Sequence, residues 1–242
     1  MEFAFPDQGY KRPDVTSRSL RFKLVREYVI AYAMIRLLSI ILVVCAAPAQ
    51  NKIEIENDWV RVSRVKSAPH AKASVQDRLP AVVIPLTDLH ERITTAGVKV
   101  QEIAHKAGEA YYTEAARQSE ENISDGPSES VVIELKPGTP KSPPIKLDPV
   151  RLDPEHHLVL IDNDRVRAIR TILEPHLKSP PHEHPHYVVV YLTELHTTMT
   201  MSDGRVVDNP RRPGDIGWRD ALSHVTENIG AKTAEEIQVE IK

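Results

Sequence analysis

The stretch Pro180-Pro181-His182-Glu183-His184-Pro185-His186-Tyr187 runs directly into the apolar segment Val188-Val189-Val190-Tyr191-Leu192. Its three histidines stand two residues apart ahead of a strand-like run, and on a β-strand residues i, i+2 and i+4 share a face. Neutral imidazole is the commonest protein ligand of first-row transition metals, and two histidines at i and i+2 can hold one ion through Nε2 at roughly 2.0–2.1 Å. A third ligand must come from elsewhere. His224 is the candidate, inside Pro213-Gly214-Asp215-Ile216-Gly217-Trp218-Arg219-Asp220-Ala221-Leu222-Ser223-His224-Val225-Thr226-Glu227-Asn228. His184 and His186 both share a face with His182 if the strand is regular, but Pro185 disturbs it, so spacing alone leaves open which of them joins His182.

A His-x-His ahead of a hydrophobic strand, then about forty residues later a Pro-Gly-Asp, a short strand and His-x-x-x-Asn, resembles the two motifs of the cupin superfamily. The resemblance implies an all-β fold, a double-stranded β-helix (jelly-roll) barrel enclosing one divalent metal held by His182, His184 and His224. The chain departs from the pattern in places. Val188 and Val189 stand where a glutamate is usual, His176 replaces the first-motif glycine, and Glu194 replaces the glycine of the turn after the strand. A three-histidine site is therefore the expectation, with His186 either a donor behind a ligand or the occupant of the place the glutamate leaves. Arg219, Asp220 and Tyr187 lie near the motifs and are candidates to line the pocket; otherwise Arg219 and Asp220 are exposed loop residues and Tyr187 sits at the barrel rim.

Self-similarity organises the rest of the chain. Residues 55–136 align without a gap onto residues 161–242 at a constant offset of 106, with 25 identities in 82 positions. Asn57-Asp58-Trp59-Val60-Arg61 matches Asn163-Asp164-Arg165-Val166-Arg167, and Glu121-Asn122-Ile123 matches Glu227-Asn228-Ile229. Two tandem barrels follow: residues 50–136, a proline-rich linker over 137–156 that reads as extended and semi-rigid, and residues 157–242. Short β-type runs recur at Val60–Val65, Ala81–Leu86, Val98–Ile103 and Val131–Leu135, with hairpin turns at Ala96-Gly97 and Asp203-Gly204. The duplication also sorts the histidines. His70 pairs with His176 and His90 with His196, which predicts turn or hydrogen-bonding roles. His182, His184, His186 and His224 correspond to Gln76, Arg78, Pro80 and Gln118. Joint loss of all four is what one expects if they serve a single ion, so the first barrel reads as a copy without metal.

Residues 1–49 have a different character. Met34-Ile35-Arg36, the apolar run Leu37–Val44 and Ala47-Pro48-Ala49 have the order of a secretory signal, predicting translation from Met34, cleavage before Gln50, and a periplasmic or secreted protein with no membrane span after cleavage. The rival reading joins Tyr28 to Ala47 into one membrane helix with Arg36 near its middle, which is costly. The first fifty residues carry seven Lys/Arg against four Asp/Glu, so the remaining 192 hold 24 against 30. That acidic balance argues against nucleic acid as a partner. All eleven histidines lie beyond residue 50 and the single cysteine, Cys45, lies before it, so no disulfide or thiolate metal site is expected in the globular part.

The expected cofactor is one divalent ion: iron, zinc, manganese or nickel. With iron, the resemblance implies a dioxygenase using three histidines; with the others, isomerase, lyase or hydrolytic chemistry. No carboxylate or lysine stands out as a general acid or base, so the alternative is a non-catalytic, metal-dependent small-molecule binding module of the cell envelope. The sequence is compatible with a homodimer.

Overall fold

A computed structural model describes residues 50–96, 99–138 and 141–242. The proposed signal and start site, and the turn glycine Gly97, lie outside the described residues. Among the described residues nine strands form the first half: β1 Gln50–Glu56, β2 Val60–Ser67, β3 Gln76–Arg78, β4 Ala81–Pro85, β5 Leu89–Thr95, β6 Val100–His105, β7 Tyr111–Thr113, β8 Ala116–Asn122 and β9 Ser128–Leu135. One helical turn follows, α1 Pro149–Leu152. The second half repeats the nine: β10 His157–Asp162, β11 Val166–Leu173, β12 His182–His184, β13 Tyr187–Tyr191, β14 Leu195–Met201, β15 Val206–Arg211, β16 Ile216–Arg219, β17 Leu222–Asn228 and β18 Ala234–Ile241. Among the described residues no helix is long and apolar enough to cross a membrane.

Strand order is the same in both halves. A five-stranded sheet β1-β2-β9-β4-β7 faces a four-stranded sheet β3-β8-β5-β6, and β10-β11-β18-β13-β16 faces β12-β17-β14-β15. Register repeats as well: Val82 pairs with Tyr112 where Val188 pairs with Trp218. Even backbone exceptions recur, since His70 and His176 adopt left-handed φ values of 57° and 66°. His176 thus stands in the conformation that glycine favours, at the position where the resemblance expects one.

The largest apolar core belongs to both halves jointly. Val60 and Val62 of β2, Val82 and Ile84 of β4, and Val131 and Ile133 of β9 join Val166 and Ala168 of β11, Val188 and Val190 of β13, and Ile237 and Val239 of β18, all fully buried. Burying each such side chain contributes roughly 1.5–3 kcal/mol, and both halves fall within one compact unit. Alternation along β13 explains the sequence run: Val188 and Val190 enter this shared core, whereas Tyr187, Val189 and Tyr191 join a smaller cluster with Leu173 and Leu195. A strand buried on both faces reads as a continuous apolar stretch. On β18 the same alternation sends Glu236, Gln238 and Glu240 to the face opposite the shared core, inside the second barrel.

Candidate metal centre

Prolines bracket β12. Pro180 and Pro181 hold the chain extended before it, and Pro185, with no N–H, ends it after three residues. The strand pairs antiparallel with β17, putting His182 directly opposite His224 and His184 opposite Leu222. Side chains of directly opposed residues are nearest neighbours across a sheet. Three imidazoles converge as a result: ring centroids are 4.5 Å apart for His182 and His224, 4.9 Å for His182 and His184, and 5.4 Å for His184 and His224. One ligand nitrogen from each lies within 4.8 Å of the others, and all three residues are buried.

Hydrogen bonds fix which nitrogen faces inward. His182 Nδ1–H donates to the Pro180 carbonyl at 2.8 Å, and His184 Nδ1–H donates to Glu240 Oε1 at 2.8 Å. His224 Nδ1 lies 3.4 Å from the Thr226 hydroxyl. Among the described residues, the Nε2 atoms of His184 and His224 are buried with no hydrogen-bond partner. Such an orphan costs about 1–3 kcal/mol, and a divalent first-row cation is the partner three converging neutral imidazoles suit. Burial keeps the rings neutral, reinforced at His184 and His224 by repulsion from the neighbouring histidines: it lowers His182, takes His184 well below the ordinary histidine value and takes His224 down to about 2. Metal ligands must be deprotonated, so the site is electrostatically ready for an ion.

The other sequence candidates divide. His186 is corrected: it stands outside the cluster, stacked on Trp59 at 4.8 Å and on Trp218 at 5.8 Å, with Asp220 Oδ1 3.3 Å from its Nδ1. Pro185 breaks the alternation and turns it away. Tyr187 is buried, its ring 4.9 Å from that of His184, so it lines the interior rather than the rim. Arg219 bends back over Gly217, with Nη2 3.4 Å from the Tyr191 hydroxyl and 3.5 Å from Asn209 Oδ1. Asp220 is exposed and accepts from Trp218 Nε1 at 3.0 Å. His196 is also exposed and meets Asp208 at 2.6 Å.

Two residues escape the sequence reading. His157 is buried, donates from Nδ1 to the Asp153 carbonyl at 3.0 Å and sets its ring edge-on to His182 at 5.4 Å. Asn51 holds its register position in the first half, opposite Val65 as His157 is opposite Thr171. The contrast between halves would have found it, but it lies four residues ahead of the aligned span. Glu240, the carboxylate behind His184, recurs as Glu134, so the same contrast conceals it. Glu236 lies on the interior face of β18, where burial raises its carboxyl above the usual range and Gln238 Nε2 donates to it at 2.7 Å. In the first barrel, Arg78 replaces His184 and pairs with Glu120 at 2.5 Å, while Gln118 replaces His224.

No protein-family model and no curated protein sequence matches the chain. Solved structures do. AerE from Microcystis aeruginosa superposes with a TM-score of 0.57 at 10% identity, covering 80% of this chain and 98% of that one. A cupin 2 conserved barrel domain protein from Leptotrichia buccalis gives 0.51 at 10%, covering 81% and 90%. Oxalate decarboxylase from Bacillus subtilis, a protein with Mn(II) centres, gives 0.56 at 13%, covering 79% and 74%. At these identities the likeness establishes the fold: this chain has the bicupin architecture of two tandem jelly-roll barrels.

Proposed function

We propose that this protein is a metal-dependent bicupin in which the second barrel alone holds one divalent ion, through Nε2 of His182, His184 and His224, and acts as an enzyme of the dioxygenase type when that ion is iron. The observation that carries the reading is the pair of buried, unpartnered Nε2 atoms on His184 and His224, converging with His182. An ion held by three neutral imidazoles keeps its +2 charge and open positions, and so polarises a bound oxygen or acidifies a bound water.

The chain's own residues suit such chemistry. Arg219 adds a guanidinium beside the site, favouring a small anionic oxygen donor as substrate. Glu236, whose carboxyl burial holds above its usual titration range, is a candidate proton donor, and Tyr187 excludes water next to His184. Gln76, Arg78 and Gln118 leave the first barrel a supporting copy. The signal-like order of residues 34–49 adds export to the proposal, for which amino-terminal sequencing of the mature protein should return Gln50.

Elemental analysis of untagged protein should find one transition metal per chain, lost in His224→Ala, and oxygen-uptake screening of the iron-loaded protein should find turnover. Metal without turnover of any small anionic substrate would favour the binding module. Metal retained in His224→Ala, or two ions per chain, overturns the assignment.

A further inference from the structure

The segment joining the halves does more than span them. Over residues 146–153 it lies against β12, the strand that carries His182 and His184. One edge of that three-residue strand is paired with β17; at the other, Glu183 N–H donates to the Leu147 carbonyl at 2.8 Å. The Glu183 carboxylate then accepts from the N–H groups of Lys146 at 2.7 Å and Leu147 at 3.3 Å. Asp148 caps α1 by accepting from Val150 N–H at 3.1 Å, and Pro149 is buried beneath it. At the end of α1, the Asp153 carbonyl takes the Nδ1 proton of His157.

A chain of charges runs from this segment into the centre. Arg167 Nη1 donates to both carboxylate oxygens of Asp148 at 3.0 Å, and Arg167 Nε donates to Glu240 Oε2 at 2.7 Å. Glu240 receives the Nδ1 proton of His184 on its other oxygen. The first half shows which links are inherited and which are added. Its equivalent pair, Arg61 and Glu134, is 3.6 Å apart, and Arg61 is 43% exposed against 13% for Arg167. At the His184 position it carries Arg78. Only the second half extends the inherited pair inward to a histidine and outward to Asp148.

We propose that residues 146–153 form a strap that sets the geometry of the metal centre, with Asp148 as a positioning residue acting on His184 through Arg167 and Glu240. This rests on the metal-binding reading above. Asp148 holds the guanidinium in the one orientation in which Nε meets Glu240. Glu240 in turn fixes the His184 tautomer and ring plane, and carboxylates in that position behind a ligating histidine change metal affinity about 10–100-fold when altered.

Cobalt(II) affinity, by competition with a chromophoric chelator, and the visible spectrum of the cobalt-loaded protein test this without reference to activity. Asp148→Asn keeps size and the α1 cap but removes the charge; it should weaken cobalt binding about tenfold and shift the spectrum, with Asp148→Glu restoring part of both. Glu240→Gln should weaken binding further. The double variant should bind no worse than Glu240→Gln alone, because the two groups act in series, whereas independent structural damage would add. Wild-type affinity and spectrum in Asp148→Asn overturn the proposal, as do additive losses in the double variant. Wild-type protein that takes up no cobalt overturns the metal-binding reading itself. Thermal unfolding of the metal-free variants separates loss of the site from loss of the fold.

Discussion

Replacing His224 by leucine should invert the order of stability between metal-free and metal-loaded protein. His224 is buried, and its Nε2 has no hydrogen-bond partner among the described residues. An unsatisfied buried polar atom costs about 1–3 kcal/mol, and leucine, of similar volume, removes that atom while adding contacts to a barrel that already encloses Leu222 and Leu173. In a chelator the variant should therefore be the more stable protein by about 1–3 kcal/mol, a few degrees in Tm for a chain of this size. With metal at about 100 times its Kd, the wild type gains about 2.7 kcal/mol from binding to the native state alone, and the variant gains nothing. The wild type should then match or exceed it. Thermal unfolding by circular dichroism, with EDTA and then with zinc or cobalt in excess, reads both arms. A variant less stable than wild type in EDTA would mean that His224 is held by interactions internal to the protein, and a wild-type Tm indifferent to metal would remove the ion from the site. Either result refutes the reasoning.

His186→Ala should leave metal stoichiometry intact, by elemental analysis, while lowering stability by about 1–3 kcal/mol through loss of its stacks on Trp59 and Trp218. Glu91, in the first barrel, has its carboxyl pushed up to about 7 from 4.5 by burial and by Glu120. Its native state therefore holds a proton that the unfolded chain releases between those values, and stability falls as pH rises through them. Glu91→Gln should match wild type near pH 4 and exceed it by about 3 kcal/mol above pH 7 in urea unfolding; carbon-13 NMR placing the Glu91 titration near 4.5 would contradict this. Asn228 Nδ2 donates to the carbonyls of Leu173 and Lys232, both at 2.8 Å. Asn228→Ala should cost about 2–4 kcal/mol in the same assay, because the carbonyls it ties together lose their donor.

Much of this molecule is legible from its residues. A gapless offset of 106 fixes two like topologies, since an insertion-free copy leaves no room for a different strand order. The contrast between His182, His184, His186, His224 and Gln76, Arg78, Pro80, Gln118 picks out four residues, of which the fold gathers His182, His184 and His224. Polar strands were less legible. β8 (Ala116-Arg117-Gln118-Ser119-Glu120-Glu121-Asn122) lacks an apolar alternation because one of its faces looks into a polar interior and the other toward solvent. The proline-rich stretch reads as a bare linker because backbone contacts such as Leu147 with Glu183 leave no trace in side-chain type.

By itself, then, the sequence determined the period, the barrel count and the four histidines from which the site is drawn, all carried by residue identity at fixed spacing, and the structure chose His184 over His186. The tertiary structure alone decided what depends on contacts between segments far apart in the chain. It put the main apolar core between the barrels and Glu240 behind His184. It turned His186 out against Trp59 and Trp218, because a single proline breaks the alternation of a strand, and it brought His157 in, because β10, in a different sheet from β12, sets its ring beside His182 across 25 residues of chain.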